Sequence, residues 1–155
     1  MVEETVVMDE VLTDDELRER VYYVLNHTYP PLRELLLPIA VEVEDGVVTL
    51  KGWVRTPAMK HMATKLALEV PGVKDVRNQL IADDELEREV ALALERDLAL
   101  EDDFPGIFVD ALAGAVTLWG HVSSEENKAR AQEIAQSIHG VRKVINDLKV
   151  KGAHT

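Results

Sequence analysis

The sequence has no cysteine, which excludes disulfides, thiolate zinc sites and cysteine nucleophiles. Aromatic residues make up only 5% of its 155 positions, so each Trp, Tyr and Phe carries weight as a candidate anchor. Basic residues are short as well: 17 Lys and Arg face 29 Asp and Glu, a formal charge of −12. Nucleic-acid binding depends on clustered Lys and Arg against phosphate, so that class is set aside. No apolar run approaches the ~20 residues that a spanning helix needs. The opening residues MVEETVVMDEVLTDD lack both a basic and a long apolar segment, so they read as neither a secretory leader nor a lipidation signal. The expectation is a soluble, cytoplasmic protein that meets a membrane only at its surface.

What is present is a repeat. Shifting the chain by 68 positions aligns Ile39–Ala82 with Ile107–Val150 without a gap, best in GVVTLKGWV (46–54) against GAVTLWGHV (114–122). Upstream, Leu17, Val21 and Leu25 match Leu86, Val90 and Leu94 at a shift of 69, so one residue is lost after the first helix of copy two. Such a deletion belongs in a surface loop. The chain thus divides into 13–82 and 83–150, each near the smallest size that buries its own core.

Within a unit, Thr13-x-x-Glu16 is a capping box ahead of the amphipathic stripe Leu17, Val21, Val24 and Leu25. IAVEVEDGVVTLKGWV then alternates on both sides of Asp45-Gly46, the pattern of a hairpin closed by a turn with positive φ. Thr56-Pro57 opens a second helix carrying Met59, Met62, Ala63, Leu66, Ala67 and Val70, and Pro71-Gly72 stops it. In copy two Ser123-x-x-Glu126 is read as the capping box and His139-Gly140 as the stop. Val73, Val76 and Leu80, with Val141, Val144 and Leu148, supply a third strand. The reading is α+β: two tandem α-β-β-α-β modules, each a three-stranded mixed sheet with two helices on one face. Strand parity then turns Thr49, Lys51 and Trp53, and Thr117, Trp119 and His121, to the uncovered face.

The order α-β-β-α-β, the hairpin DGVVTLKGWV, the helix ending in PGV and the strand VRNQLIA together resemble the BON domain, a small bacterial module. AGAVTLWGHV, HGV and VINDLKV resemble a second one, so the likeness covers nearly the whole chain. It implies a non-enzymatic module of the kind found in osmotic-shock proteins, secretins, haemolysin-like proteins and mechanosensitive channels, thought to attach proteins to phospholipid. It also implies an alternative, since a related cytoplasmic protein joins a BON domain to a peptidoglycan-binding module and is linked to potassium. Ala113 stands where the first hairpin has Asp45, which argues against a functional carboxylate in that turn.

The recurring glycines Gly46, Gly52, Gly72, Gly114, Gly120 and Gly140 read as turns, a tight strand contact and helix C-caps. Asn78 and Asn146 lie on the core side of the last strand, where an amide satisfies loop backbone groups. Trp53 and Trp119 do not align with each other and stay open between packing of the two copies, an outside partner or lipid, and simple exposure. Residues 1–20 hold eight carboxylates against two arginines and 83–110 hold eleven against two, while 21–82 and 111–155 are net +1 and +2. Lys51, Arg55, Lys60, Lys65, Lys74 and Arg77 face only Glu69 and Asp75, either a local basic patch for acidic headgroups or a solvated face of mixed charge. The run Glu101-Asp102-Asp103, near Glu95 and Asp97, could bind a cation weakly but lacks EF-hand spacing, and reads better as a helix end or linker that repels self-association.

No G-x-S-x-G elbow, P-loop, Rossmann fingerprint or H-E-x-x-H occurs, and His27, His61, His121, His139 and His154 show no ligand spacing. The expectation is therefore a non-enzyme with no cofactor and no metal centre. Its partner would be phospholipid or a membrane-associated protein in osmotic or envelope stress. A monovalent cation sensor and a protein adaptor are the alternatives. The oligomeric state is not legible.

Overall fold

The computed structural model describes residues 11–152, so most of the opening segment read above and His154 lie outside the described residues. Two compact units emerge. One comprises the described residues up to Gly52 together with Ala58–Leu80; the other comprises Trp53–Pro57 together with the chain from Ile81.

In the first unit, α1 (Asp14–Thr28) starts from the Thr13 capping box, with Thr13 Oγ1 accepting from Glu16 N–H and the Glu16 carboxylate accepting from Thr13 N–H. Its stripe Leu17, Val21 and Leu25 is buried. A single helical turn, α2 (Pro30–Arg33), follows, and Leu32 fastens it to the core. β1 (Ala40–Glu44) and β2 (Val47–Val54) pair antiparallel, Val41 opposite Leu50 and Val43 opposite Val48. Pro57 opens α3 (Pro57–Leu68), which buries Met59, Ala63, Leu66 and Ala67. β3 (Asp75–Ala82) completes a sheet of order β1-β2-β3.

The second unit repeats this plan. α4 (Asp83–Arg96) buries Leu86, Val90 and Leu94, and two short 3-10 turns, Leu98–Leu100 and Phe104–Gly106, replace the α2 segment. β4 (Ile107–Leu112) and β5 (Ala115–Val122) form the antiparallel hairpin, and α5 (Glu125–Ser137) carries the chain over to β6 (Lys143–Val150), which pairs parallel to β5. A parallel neighbour demands such a crossover. Both modules are α+β with a three-stranded mixed sheet and two long helices on one face. In the second, Val116, Leu118 and Val122 on β5 and Leu148 on β6 pack against Leu86, Val90 and Leu94 of α4 and Ala131 and Ala135 of α5. Burying each of the larger side chains contributes about 1.5–3 kcal/mol. Among the described residues no helix is long and apolar enough to cross a membrane.

Three local expectations are corrected. The cap of α5 is Ser124, whose hydroxyl accepts from Asn127 N–H, because Ser123 is drawn off to the Asp103 carboxylate. The helices end at Leu68 and Ser137, so Gly72 and Gly140 do not cap them but open the turns that lead into β3 and β6, at φ 101° and 98°. Asn78 and Asn146 serve helix backbone rather than loops, as described below.

Candidate functional site

Strand parity leaves one face of each sheet without a helix, and the two faces differ in chemistry. In the first sheet that face presents Glu42 and Glu44 from β1 and Lys51 from β2. Lys51 meets Glu42 at 3.4 Å, both side chains being largely in solvent. In the second sheet the equivalent face is apolar and aromatic. Phe108 and Trp119 are direct cross-strand partners whose rings stack at 4.5 Å, with an interplanar angle of 24°. They remain 47% and 44% exposed, with Leu112 at 45% and Ile145 at 40% on the same side. The Trp119 indole N–H donates to Asp110 Oδ2 at 2.8 Å, which fixes the ring against its neighbour. On β6 the same face presents exposed Lys143, Ile145, Asp147 and Lys149, opposite Ala115, Thr117, Trp119 and His121 of β5. An exposed, oriented aromatic pair, with Asp110 and Asp147 beside Trp119 and lysines towards the two ends of β6, is the feature among the described residues best suited to binding.

The other residues singled out in the sequence are dispersed. Trp53 belongs to the second unit, where it is half-buried. Its indole N–H donates to the Gly140 carbonyl at 2.7 Å and the Arg142 guanidinium lies 5.9 Å from its ring. Lys51 lies on the uncovered face of the first sheet, whereas Lys60 and Lys65 lie on α3, which covers the opposite face, and exposed Arg55 follows β2. Lys60 and Lys65, five residues apart on a helix, also point in different directions. Gly46 and Gly114 close the two hairpins with Asp45 and Ala113, all four at positive φ. A Cβ at Gly52 would make ordinary contact with the Ile39 backbone, whereas one at Gly120 would collide with the Gly106 carbonyl. Among the described residues no three His, Asp or Glu side chains converge as metal ligands.

Asn78 and Asn146 are a repeated brace. Asn78 Nδ2 donates to the Lys60 carbonyl at 2.8 Å and to Thr64 Oγ1 at 2.6 Å, while its Oδ1 accepts from Leu80 N–H. Asn146 does the same with the Lys128 carbonyl, Gln132 Oε1 and Leu148 N–H. The amide thus ties the last strand to the second helix of its module.

Two carboxylates escaped the sequence reading, and a third, Asp103, figures there only as a member of an acidic run. Asp14 accepts from Asp45 N–H and Gly46 N–H at 2.9 and 3.1 Å, and Asp83, 69 residues later and buried, accepts from Ala113 N–H and Gly114 N–H at 2.8 and 3.0 Å. Each pins a hairpin turn to the start of the first helix. Their recurrence at the helix-one shift of 69 was the available signal. Asp103, also buried, accepts from Ser123 N–H, Ser123 Oγ and Asn127 Nδ2 at 2.8–3.0 Å. Burial pushes its carboxyl up, but the Ser123 N–H, the Asn127 amide, the Ser123 hydroxyl and the charge of Lys151 together hold it below the usual carboxylate range.

Comparison with known proteins agrees with this architecture. A family model described as the BON domain matches residues 13–83 and again 82–152. Osmotically-inducible protein Y of Escherichia coli (strain K12) is 34% identical over 124 residues, covering 73% of this chain; the chain spans 62% of that relative's length. Among solved structures, CdsD, a structural protein of the type III secretion system of Chlamydia trachomatis, superposes with a TM-score of 0.72 at 19% identity, over 93% of this chain and 67% of that one. The periplasmic domain of the type III secretion inner membrane protein PrgH from S. typhimurium gives a TM-score of 0.34 at 16% identity, over 97% of this chain and 86% of that one. The cytoplasmic expectation is overturned, because the osmotically-inducible relative is a periplasmic protein. That expectation rested on the composition of the first fifteen residues, and a sequence that spans part of its relative carries no information about what precedes it.

Proposed function

This chain belongs to the BON-domain family, and on that premise we propose that it is a non-catalytic binding protein of osmotic or envelope stress that associates with a phospholipid surface. The observation that carries the reading is the Phe108–Trp119 pair on the uncovered face of the second sheet. Rings with an apolar body and a polar edge favour the boundary between headgroups and acyl chains, and neighbouring Leu112 and Ile145 extend the apolar area. Lys143 and Lys149, towards the two ends of β6 on the same face, supply short-range attraction to anionic headgroups, offset by Asp110 and Asp147 beside Trp119. The charge of −12 opposes that attraction at long range, so binding depends on contact and is weakened by salt within about one Debye length of ~8 Å at physiological ionic strength.

The test is flotation of the purified chain with vesicles of phosphatidylcholine alone and of phosphatidylcholine mixed with phosphatidylglycerol. The expected result is co-flotation with the anionic vesicles that falls with added salt and is largely lost in Phe108→Ala/Trp119→Ala. A chain that stays with the buffer in every mixture, or floats equally well without the two rings, refutes the proposal.

A further inference from the structure

A groove of about 630 Å³ lies in the first unit between α1 and the end of α3, well away in sequence from the aromatic sheet face. That volume is within the range of sites for small molecules. Its apolar part comes from Val24 on α1 and from Leu66, Val70 and Pro71 at the end of α3. Tyr23, 61% exposed, stands at its edge with the ring stacked on His27 at 3.9 Å, and the His27 Nδ1 contact with the Tyr23 carbonyl at 2.9 Å keeps that arrangement in place.

The polar lining is mostly acidic: Glu16, Glu19 and Glu69 against a single Arg20. Glu16 is already committed, its carboxylate accepting from Thr13 N–H and Thr13 Oγ1, and Arg20 acts on that same carboxylate. Glu19 and Glu69 are left, and among the described residues neither forms an ion pair. An apolar floor with an aromatic edge and two unneutralised carboxylates is complementary to a molecule that has an apolar body and a cationic head. An anionic lipid or fatty acid meets the wrong sign here.

We propose that this groove binds a small amphiphilic cation, its apolar body on Val24, Leu66 and Val70 and its ammonium or guanidinium head between Glu19 and Glu69. The proposal is independent of the phospholipid reading, since it uses the other module and the opposite charge. The chain supplies its own control: at the repeat positions of the second module Tyr23 becomes Leu92, Glu19 becomes Arg88 and Glu69 becomes Ser137, which removes the ring and the two carboxylates proposed to hold the head, while Arg20 becomes Glu89.

The experiment is amide NMR titration of the labelled full chain with phenylbutylammonium, and in parallel with phenylbutyrate and phenylbutanol, three probes that share an apolar body and differ in head charge. The expected result is saturable shifts along α1 and the end of α3 for the ammonium probe, tighter than the alcohol by about fivefold, with the carboxylate weakest. In Glu19→Gln/Glu69→Gln the ammonium and alcohol probes converge while the spectrum stays that of the folded chain. Absence of saturable shifts at millimolar ammonium probe overturns the proposal. Equal binding of the ammonium and carboxylate probes, or shifts in the second module instead, overturns it equally.

Discussion

Asp103 shows what a carboxylate does once it is buried. In the sequence it is the last member of the run Glu101-Asp102-Asp103, where charge counting treats its members alike; in the structure Glu101 and Asp102 are exposed and Asp103 is enclosed with Ser123 and Asn127. Burial depends on partners twenty residues away, which no local pattern contains. Because its folded pKa lies below the ordinary carboxylate value of about 3.9, the stabilisation it gives is complete above that pH and is lost as pH falls through the lower folded value. Asp103→Asn should therefore cost about 1–3 kcal/mol at pH 7, because the amide oxygen can take the place of Oδ2 but makes neutral bonds to Ser123 and Asn127 where the carboxylate makes charge-assisted ones. Urea unfolding at pH 7 and again near pH 2.5 checks this: the gap between variant and parent should close at the acid end. Trp53 and Trp119 were legible as unusual residues but not as different ones, since their surroundings and not their spacing separate a half-buried indole bonded to Gly140 from an exposed one stacked on Phe108.

At the scale of elements the sequence was far more readable. Alternation on both sides of Asp45-Gly46 and of Ala113-Gly114 located both hairpins, and the stripes of Leu17, Val21, Leu25 and of Leu86, Val90, Leu94 located the helices that cover the sheets. The segment between first helix and hairpin was not readable, because α2 and the two 3-10 turns are each about one turn long, too short for a helical period to repeat. Nor was the cap of α5, where two adjacent serines compete and Asp103 decides. Gly120 gives the sharpest test of an element. It sits at φ 114° within β5, and a Cβ there would collide with the Gly106 carbonyl oxygen, which is backbone and has no rotamer to yield. Gly120→Ala should cost about 2–4 kcal/mol by thermal or urea unfolding. Gly152, at φ 76° with nothing within 4 Å, is the matched control and should lose only about 1 kcal/mol as Ala. Equal losses at the two sites would show that backbone conformation, and not the strand contact, governs Gly120.

For the whole molecule, charge is the dominant condition. The −12 formal charge, concentrated in residues 1–20 and 83–110, repels itself in the compact state more than in the expanded one. Raising sodium chloride from about 0.01 M to 0.15 M shortens the screening length from ~30 Å to ~8 Å and should raise the melting temperature by about 2–4 °C, measured by circular dichroism. A falling melting temperature would mean that favourable ion pairs outweigh the repulsion. The two uncovered sheet faces, one carrying Glu42, Glu44 and Lys51 and the other Phe108 and Trp119, show how one plan supports two surface chemistries: the inward parity is repeated nearly residue for residue, and the outward parity is free to differ. The brace made by Asn146 sets a different kind of limit, on lifetime rather than on affinity. Its amide nitrogen is a donor to the Lys128 carbonyl and Gln132 Oε1, so slow hydrolytic deamidation of that one side chain would turn the donor into a carboxylate oxygen facing two other oxygens. An ageing sample would lose the tie between β6 and α5 with a mass change of about one dalton and no cut in the chain, and Asn78 carries the same clock in the first module.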